Sequence, residues 1–217
     1  MKDKKISDQL ISELADLLQH KIQNGEFKGC EFLRQNELEK LLDVNRFTVR
    51  QVLGELTNRN VLEHIHYRGH RVREHSAEER EQITEARALL ELGAASQVLA
   101  RIDTQGLVLL TEHATNFAKA LAEGDHKKLI KANLAFHQHY YSFCTNPFLC
   151  DLINDLREQG IRVSRPGWLN VKASEQARDE HFAMVEALQN KDLLSLKNLI
   201  YQHLYAWKKY VTKDQPA

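Results

Sequence analysis

The first regular pattern in the chain runs over residues 6–27, where Leu10, Ile11, Leu14, Leu17, Leu18 and Ile22 recur at separations of three and four. That spacing predicts a helix with one apolar face, with Ser7 placed to cap it and Gly25 to close it. After a short loop through Gly29, QNELEKLLDV sets Leu38, Leu41 and Leu42 on one face of a second helix. Asp43-Val44-Asn45 is too brief and too polar for anything but a turn, and Asn45 caps a third helix, RFTVRQVLGELTNRN, with Val49, Val52, Leu53 and Leu56 inward. Beyond Asn60 the period changes. Residues 61–67 and 70–73 are strand-like runs with Arg68-Gly69 as the turn between them. Three helices followed by a hairpin predict a winged helix-turn-helix, one helix for the major groove and a wing beside it.

From Ser76 onward only helical periods occur. Helices are expected over 78–100, 103–123, 126–143, 148–163, 174–190 and 192–211, with Asp103, Ser174 and Asp192 as N-caps and Gly124 and Asn190 at C-terminal ends. The stretch 165–172, with Pro166 and Gly167, is a break to which the pattern assigns no form. The expected fold is mainly α: a winged helix-turn-helix over residues 1–75, then an all-α antiparallel helical bundle over 76–217.

Composition narrows the class. A chain of 217 residues with 42% hydrophobic positions and only three Pro and nine Gly can bury a real core, so disorder and fibrous architecture are excluded. No apolar run approaches the roughly 18 residues that span a bilayer, and the first apolar stretch contains acids, unlike a signal peptide. A cytoplasmic location and no membrane partner are expected. Cys30, Cys144 and Cys150 are odd in number and form no CxxC pattern, so they are read as reduced thiols rather than as a disulfide framework or a thiolate zinc site.

Charge adds the first functional signal. The 30 Lys+Arg balance the 30 Asp+Glu, which seems to count against a nucleic-acid partner. Residues 44–73, however, hold six arginines, two acids and no lysine, a local +4 that leaves −4 elsewhere. Arg46, Thr48 and Arg50 at the start of the third helix are therefore expected to contact base edges and phosphates, and Arg68, Gly69 and His70 to make the wing contacts. Gly69 provides a positive φ or a close approach. Arg59, at the far end of the helix, is read as a solvated charge.

These residues resemble the GntR-type bacterial transcription regulators, in the subgroup carrying a helical FCD domain. The stretch from IQNGEFKGCEFL to HIHYRGHRV follows the family's N-terminal pattern, and RALLE, NLAFH, TNPFL, SEQARDEH and ALQNKD before IYQHL follow the FCD pattern. Departures are Lys28 where the family usually has Pro, Gln35 where it often has Glu, Asp43 for Gly, and Asn45, Phe47 and Thr48 for the common Ser, Thr and Pro. The resemblance implies a homodimeric regulator that binds a pseudo-palindromic operator in double-stranded DNA and answers to a small carboxylate effector; repression is favoured over activation. Many FCD domains hold a divalent metal through an Asp and a His four residues apart plus one His on each of two later helices. The corresponding positions here are Asn133, His137, His181 and His203, three histidines without the carboxylate.

The spacing of the residues permits the set that the resemblance implies. Asn133 and His137 share a helix face at i, i+4. His181 begins a stripe with Met184, Val185 and Leu188, and His203 lies on one with Leu199 and Trp207. Inward imidazoles suit zinc or nickel, one ion per subunit, although any single histidine on such a stripe is more readily a packed core residue. With a neutral amide in place of the carboxylate, direct binding of an anionic effector by the histidines stays open. Arg87, on the stripe of Ile83, Leu90 and Ala94, is a candidate clamp for the effector carboxylate oriented by Glu91, or else half of a plain intrahelical ion pair. His139 falls about 200° round from His137 and cannot share its face. His20, His113 and His126 read as surface residues, and Tyr140, Tyr141 and Trp168 either wall a pocket or simply pack. No Ser/His/Asp order, phosphate loop or paired-acid signature is present, so an enzyme is not expected. The rival readings are a metal-dependent hydrolase or lyase on a helical bundle, using the same histidines, and an architectural DNA-binding protein without an effector.

Overall fold

The chain divides into two units, Met1–Glu74 and His75–Ala217. The computed structural model describes residues 2–23, 26–163 and 170–210.

In the first unit α1 (Lys2–Gln23), α2 (Gln35–Leu42) and α3 (Arg46–Asn58) accompany three short strands, β1 (Phe32–Leu33), β2 (Leu62–Ile65) and β3 (Gly69–Val72). Helix α1 already runs through Ser7 and so does not begin there, and Gly25 lies outside the described residues. Its core face is Ala15, Leu18 and Ile22 flanked by Ile11 and Leu14; Leu10 and Leu17, expected inward, are exposed, as is Leu41 on α2. A single helix face holds positions four apart, such as Leu18 and Ile22 or Leu38 and Leu42, and the extra leucines fall beyond its edge. Asn45 Oδ1 accepts from Thr48 N at 3.0 Å and caps α3. Asp43 closes α2 with φ 51°, a left-handed conformation that favours the glycine common in the family.

Strand β1 has no signal in the sequence because two residues carry no period. It pairs antiparallel with β3, which lies in the centre of the sheet order β1-β3-β2. The hairpin register sets His64 opposite His70 and Ile65 opposite Gly69. Its turn is closed by Arg68 N to Ile65 O at 3.0 Å and so falls on His66-Tyr67-Arg68, earlier than expected. Arg59 is not a solvated charge. Its guanidinium binds Glu55 at 2.8 Å, Asp16 and Ser12, strapping α3 to α1.

The second unit contains α4 (Ala77–Arg101), α5 (Thr104–Ala122), α6 (His126–Tyr141), α7 (Pro147–Val163), α8 (Val171–Gln189) and α9 (Leu193–Tyr205), followed by a 3-10 turn over Ala206–Lys209. Ser76 and Glu79 form a reciprocal capping box on α4, and Asp103, Asp125 and Asp192 cap α5, α6 and α9. Ser174 is not the cap of α8: Asn170 Oδ1 accepts from Lys172 N and Ala173 N, and Ser174 is buried in the first turn. Helix α8 ends at Asn190 as expected, and Lys191 after it adopts the left-handed conformation (φ 53°). Helix α4 packs on α7 and α9, and α5 on α6 and α8. Gln97 meets Thr145 while Glu91 meets Arg157, so α4 and α7 run antiparallel. Val98, Leu110, Ala114, Phe136, Tyr140, Tyr141, Ile153, Met184, Leu196 and Ile200 form the buried centre. All three cysteines are free, and no helix among the described residues is long and apolar enough to cross a membrane.

Gly106, in the first turn of α5, shows how closely this unit packs. A Cβ there would stand 2.4 Å from Phe143 Cζ, and its carbonyl lies 3.0 Å from His139 Nε2. Alanine ordinarily gains up to about 1 kcal/mol over glycine inside a helix, but displacing a packed ring costs about 1–3 kcal/mol. Gly106→Ala is therefore expected to lower the urea midpoint, where propensity alone would raise it.

Candidate functional site

Two groups of side chains carry chemistry, one in each unit. In the first unit Arg46 and Arg50 stand exposed one turn apart on α3, and both donate through Nε to a single acceptor, Gln35 Oε1, at 3.1 and 3.3 Å. Gln35 was not singled out from the sequence; its only signal was the departure from Glu. Thr48 is half-buried, its hydroxyl directed to Asn45 Oδ1 at 3.3 Å. On the wing, Arg68 lies over the Phe32 ring at 4.5 Å. Gly69 has φ 94° with open space where a Cβ would be, so the turn conformation and not a close approach requires glycine. His70 is half-buried against His64, ring centroids 4.8 Å apart, and burial followed by the neighbouring imidazole holds its pKa below the ordinary value. Tyr67 in the wing's turn is 95% exposed, with its ring on His66.

These contacts redistribute the segment's charge. Arg59 and Arg71 are paired with Glu55 and Glu63, the two acids of residues 44–73. Among the described residues Arg46, Arg50 and Arg68 have no carboxylate partner, so the uncompensated charge lies at the start of α3 and on the wing, where phosphates are met in a winged helix.

In the second unit α6, α8 and α9 bring His137, His181 and His203 together. Their ring centroids form a nearly equilateral triangle of 5.0, 5.1 and 5.1 Å, and one nitrogen of each lies within 4.8 Å of the others. His137 Nε2 and His181 Nε2 face each other at 3.2 Å. Two nitrogens about 2.1 Å from one ion would stand about 3.0–3.4 Å apart at octahedral to tetrahedral angles, so this separation fits two ligands of one metal. Asn133, one turn before His137, is 2% exposed and its Oδ1 has no hydrogen-bond partner. The convergent imidazole triad fits a divalent ion, and the unsatisfied amide oxygen of Asn133, one turn before His137 on the same helix, is the further donor that this chain would offer. Burial, then the charge of Arg157, holds His137 well below the usual imidazole pKa; burial, then His203, does so for His181. Both shifts favour the neutral ring, the form that binds a cation.

Beside the triad is a buried ion cluster that the sequence reading caught only in part. Glu91, 1% exposed, accepts from Arg87 Nε at 2.8 Å, Arg157 Nη1 at 3.1 Å and the Tyr141 hydroxyl at 2.5 Å. Burial works against the Glu91 charge, but Arg87 and then Arg157 outweigh it and hold the carboxyl below its ordinary range. The Arg87–Glu91 pair is therefore real, and two cations on one anion leave the cluster net positive. Arg157 went unnoticed in the sequence; its signal was the i, i+4 spacing from the fully buried Ile153. Tyr140 and Tyr141 are buried, while Trp168 lies outside the described residues. His113 is not simply a surface residue, since its ring packs on His139. Glu180, also missed, is 7% exposed and lies 2.7 Å from His203 Nδ1.

Comparison with known proteins places this architecture. The HTH-type transcriptional regulator YdhC of Bacillus subtilis, itself uncharacterized, is 23% identical over 86% of this chain and 84% of its own length. The HTH-type transcriptional repressor GlaR of Escherichia coli is 26% identical over 86% of this chain and 89% of its own. Among solved structures, Escherichia coli McbR/YncC superposes with a TM-score of 0.76 at 22% identity, covering 93% of this chain and 99% of that one. A GntR regulator from Rhodococcus gives 0.78 at 20% identity, covering 92% and 96%. These likenesses show the fold. The matching families and relatives are regulators of transcription, not enzymes, which sets aside the hydrolase or lyase reading. Residues 10–72 match the gntR family of bacterial regulatory proteins and residues 82–206, more than half of the chain, match the FCD domain; the protein belongs to the GntR family of bacterial transcription regulators, in its FCD-carrying branch.

Proposed function

We propose that this protein is a homodimeric, cytoplasmic repressor that binds a pseudo-palindromic operator through α3 and the wing and releases it when a small organic acid enters the helical unit. The observation that carries the reading is the triangle of His137, His181 and His203 beside the net-positive Arg87–Glu91–Arg157 cluster. In this reading the three imidazoles, with the Asn133 amide oxygen, hold one zinc or nickel ion per subunit. The ion supplies a Lewis-acidic point for one carboxylate oxygen of the effector. Arg87 and Arg157 bias the neighbourhood toward an anion, with Glu91 holding both guanidinium groups in place. Repression is supported by the likeness to GlaR, whose name calls it a repressor. Dimerisation is supported by Leu89 (80% exposed) on α4 and Phe148 (83%) and Leu152 (48%) on α7, large apolar side chains on two helices that pack together.

Metal analysis of protein purified without chelators, followed by gel shifts on duplexes selected from a randomised pool in the presence of a panel of carboxylates, tests the proposal. A bound divalent ion and release by at least one acid are expected; a metal-free protein whose duplex binding no carboxylate alters would overturn it. Asn133→Asp should then raise zinc affinity by at least about tenfold, about 1.4 kcal/mol, read by competition with a chromophoric chelator, because a carboxylate adds charge to an otherwise neutral donor set.

A further inference from the structure

With Asn133 as an amide, the donor set Asn133, His137, His181 and His203 contains no carboxylate, and the nearby cluster of Arg87, Arg157 and Glu91 is net positive. A cation there has no compensating negative charge in direct reach. Such a charge lies one shell outward. His203 Nδ1 is 2.7 Å from Glu180 Oε2, and the other oxygen of that carboxylate accepts from Gln176 Nε2 at 2.5 Å. The Gln176 amide oxygen in turn accepts from the Tyr210 hydroxyl at 2.9 Å. Glu180 is therefore held at both oxygens, buried, and presented to the Nδ1 edge of one imidazole. Neither His137 nor His181 has a carboxylate against its ring among the described residues, and His181 Nδ1 has no hydrogen-bond partner at all.

We propose that Glu180 is a positioning residue of the metal site: it fixes His203 in the tautomer that carries its proton on Nδ1, so that Nε2 presents a lone pair to the triad, and it supplies from outside the negative charge that Asn133 does not supply from within. A carboxylate accepts hydrogen bonds and donates none, so a 2.7 Å contact to Nδ1 requires the ring proton on that nitrogen. The remaining nitrogen then points its lone pair away from Glu180, the arrangement that carboxylate–histidine–metal triads use. Gln176 and Tyr210 set the aim of the carboxylate. Because Tyr210 follows the 3-10 turn after α9 while Gln176 and Glu180 belong to α8, closure of this chain depends on the C-terminal turn staying docked. Trp207 Nε1 to Thr84 Oγ1 at 3.2 Å holds that turn on α4. The inference rests on the metal reading above, but its first consequence, the His203 tautomer, exists before any ion binds.

Two measurements separate the two ideas. In metal-free wild-type protein, long-range proton–nitrogen correlation spectra should show His203 with its proton on Nδ1; a proton on Nε2 would overturn the proposal whatever the metal does. In Glu180→Gln, which keeps the shape of the side chain, the His203 signals should move toward the other tautomer or a mixture. Zinc affinity, measured by chelator competition, should fall about 10–100-fold, the usual loss on removing such an outer partner. The cobalt(II) absorption spectrum should change in intensity, and Tyr210→Phe should give a smaller loss of affinity in the same direction. A Glu180→Gln protein that binds zinc within twofold of wild type with the tautomer unchanged would sink the inference. If that variant does not fold, as judged by its metal-free thermal transition, the wild-type tautomer and Tyr210→Phe decide the matter: an Nε2 proton or undiminished zinc affinity in Tyr210→Phe counts as failure. Wild-type protein that takes up neither zinc nor cobalt defeats the metal reading instead.

Discussion

Replacing Glu91 by Gln is expected to destabilise the helical unit by about 3–5 kcal/mol, the range for removing one member of a buried ion pair. The carboxylate is the shared acceptor of Arg87, Arg157 and the Tyr141 hydroxyl, and the side chains of Arg157 and Glu91 are 5% and 2% exposed. Without it, two guanidinium groups repel each other in a largely buried site, and neutral Gln offers one acceptor oxygen to three donors. Urea denaturation should show the loss, and a Glu91→Gln/Arg157→Met double variant should recover part of it, since the second change removes the stranded charge. The pH dependence has a definite sign. The folded-state pKa of Glu91 lies below its unfolded value, so the carboxylate's contribution is fully present above the unfolded pKa of about 4.3 and disappears as pH falls through the folded value. The stability gap between wild type and Glu91→Gln should therefore be widest near neutrality and narrow in acid. A gap that stays constant down to pH 2 would mean that Glu91 acts through its shape and not its charge.

The same cluster shows where sequence reading stops. His137, His181 and His203 lie on inward stripes of their own helices and are visible there one at a time, but that α6, α8 and α9 turn these stripes toward one point is a tertiary fact. The family pattern, not the periodicity, brought them together in advance. Arg157 and Glu180 were missed because a charged residue is buried only when its partner is, and Glu91 and His203 lie far away in sequence. Local chemistry was legible where it is local: Asn45, Asp103 and Asp192 cap the helices they precede. Ser174 failed as a cap because α8 begins earlier, at Val171 behind the cap Asn170, and packing then buries the serine. Strand β1 exists only because β3 offers it an edge, which two residues cannot announce. The charge asymmetry of residues 44–73 was readable as a total, whereas its focusing on Arg46, Arg50 and Arg68 needed the ion pairs of Arg59 and Arg71 to be seen.

That focusing makes the largest functional effect one of DNA binding. Arg46→Ala and Arg50→Ala are each expected to weaken binding to a selected duplex by about 1–3 kcal/mol, roughly 5- to 150-fold. The form of the loss distinguishes what each arginine touches. An arginine on a base edge should lose discrimination at one position of the site, whereas one on a phosphate should weaken all duplexes alike and flatten the salt dependence by about one ion. Gln35 provides the sharper test, because its amide oxygen accepts from both arginines without neutralising either. Gln35→Glu keeps those hydrogen bonds and adds a negative charge a few ångströms from two guanidinium groups, so duplex binding should weaken and its salt slope fall while the thermal stability of the winged unit holds or rises. Gln35→Ala should free both side chains and leave affinity near wild type. Were Arg46→Ala and Arg50→Ala both to bind the selected duplex as tightly as wild type, α3 would not be the recognition helix, and the uncompensated charge at its start would have no bearing on the operator.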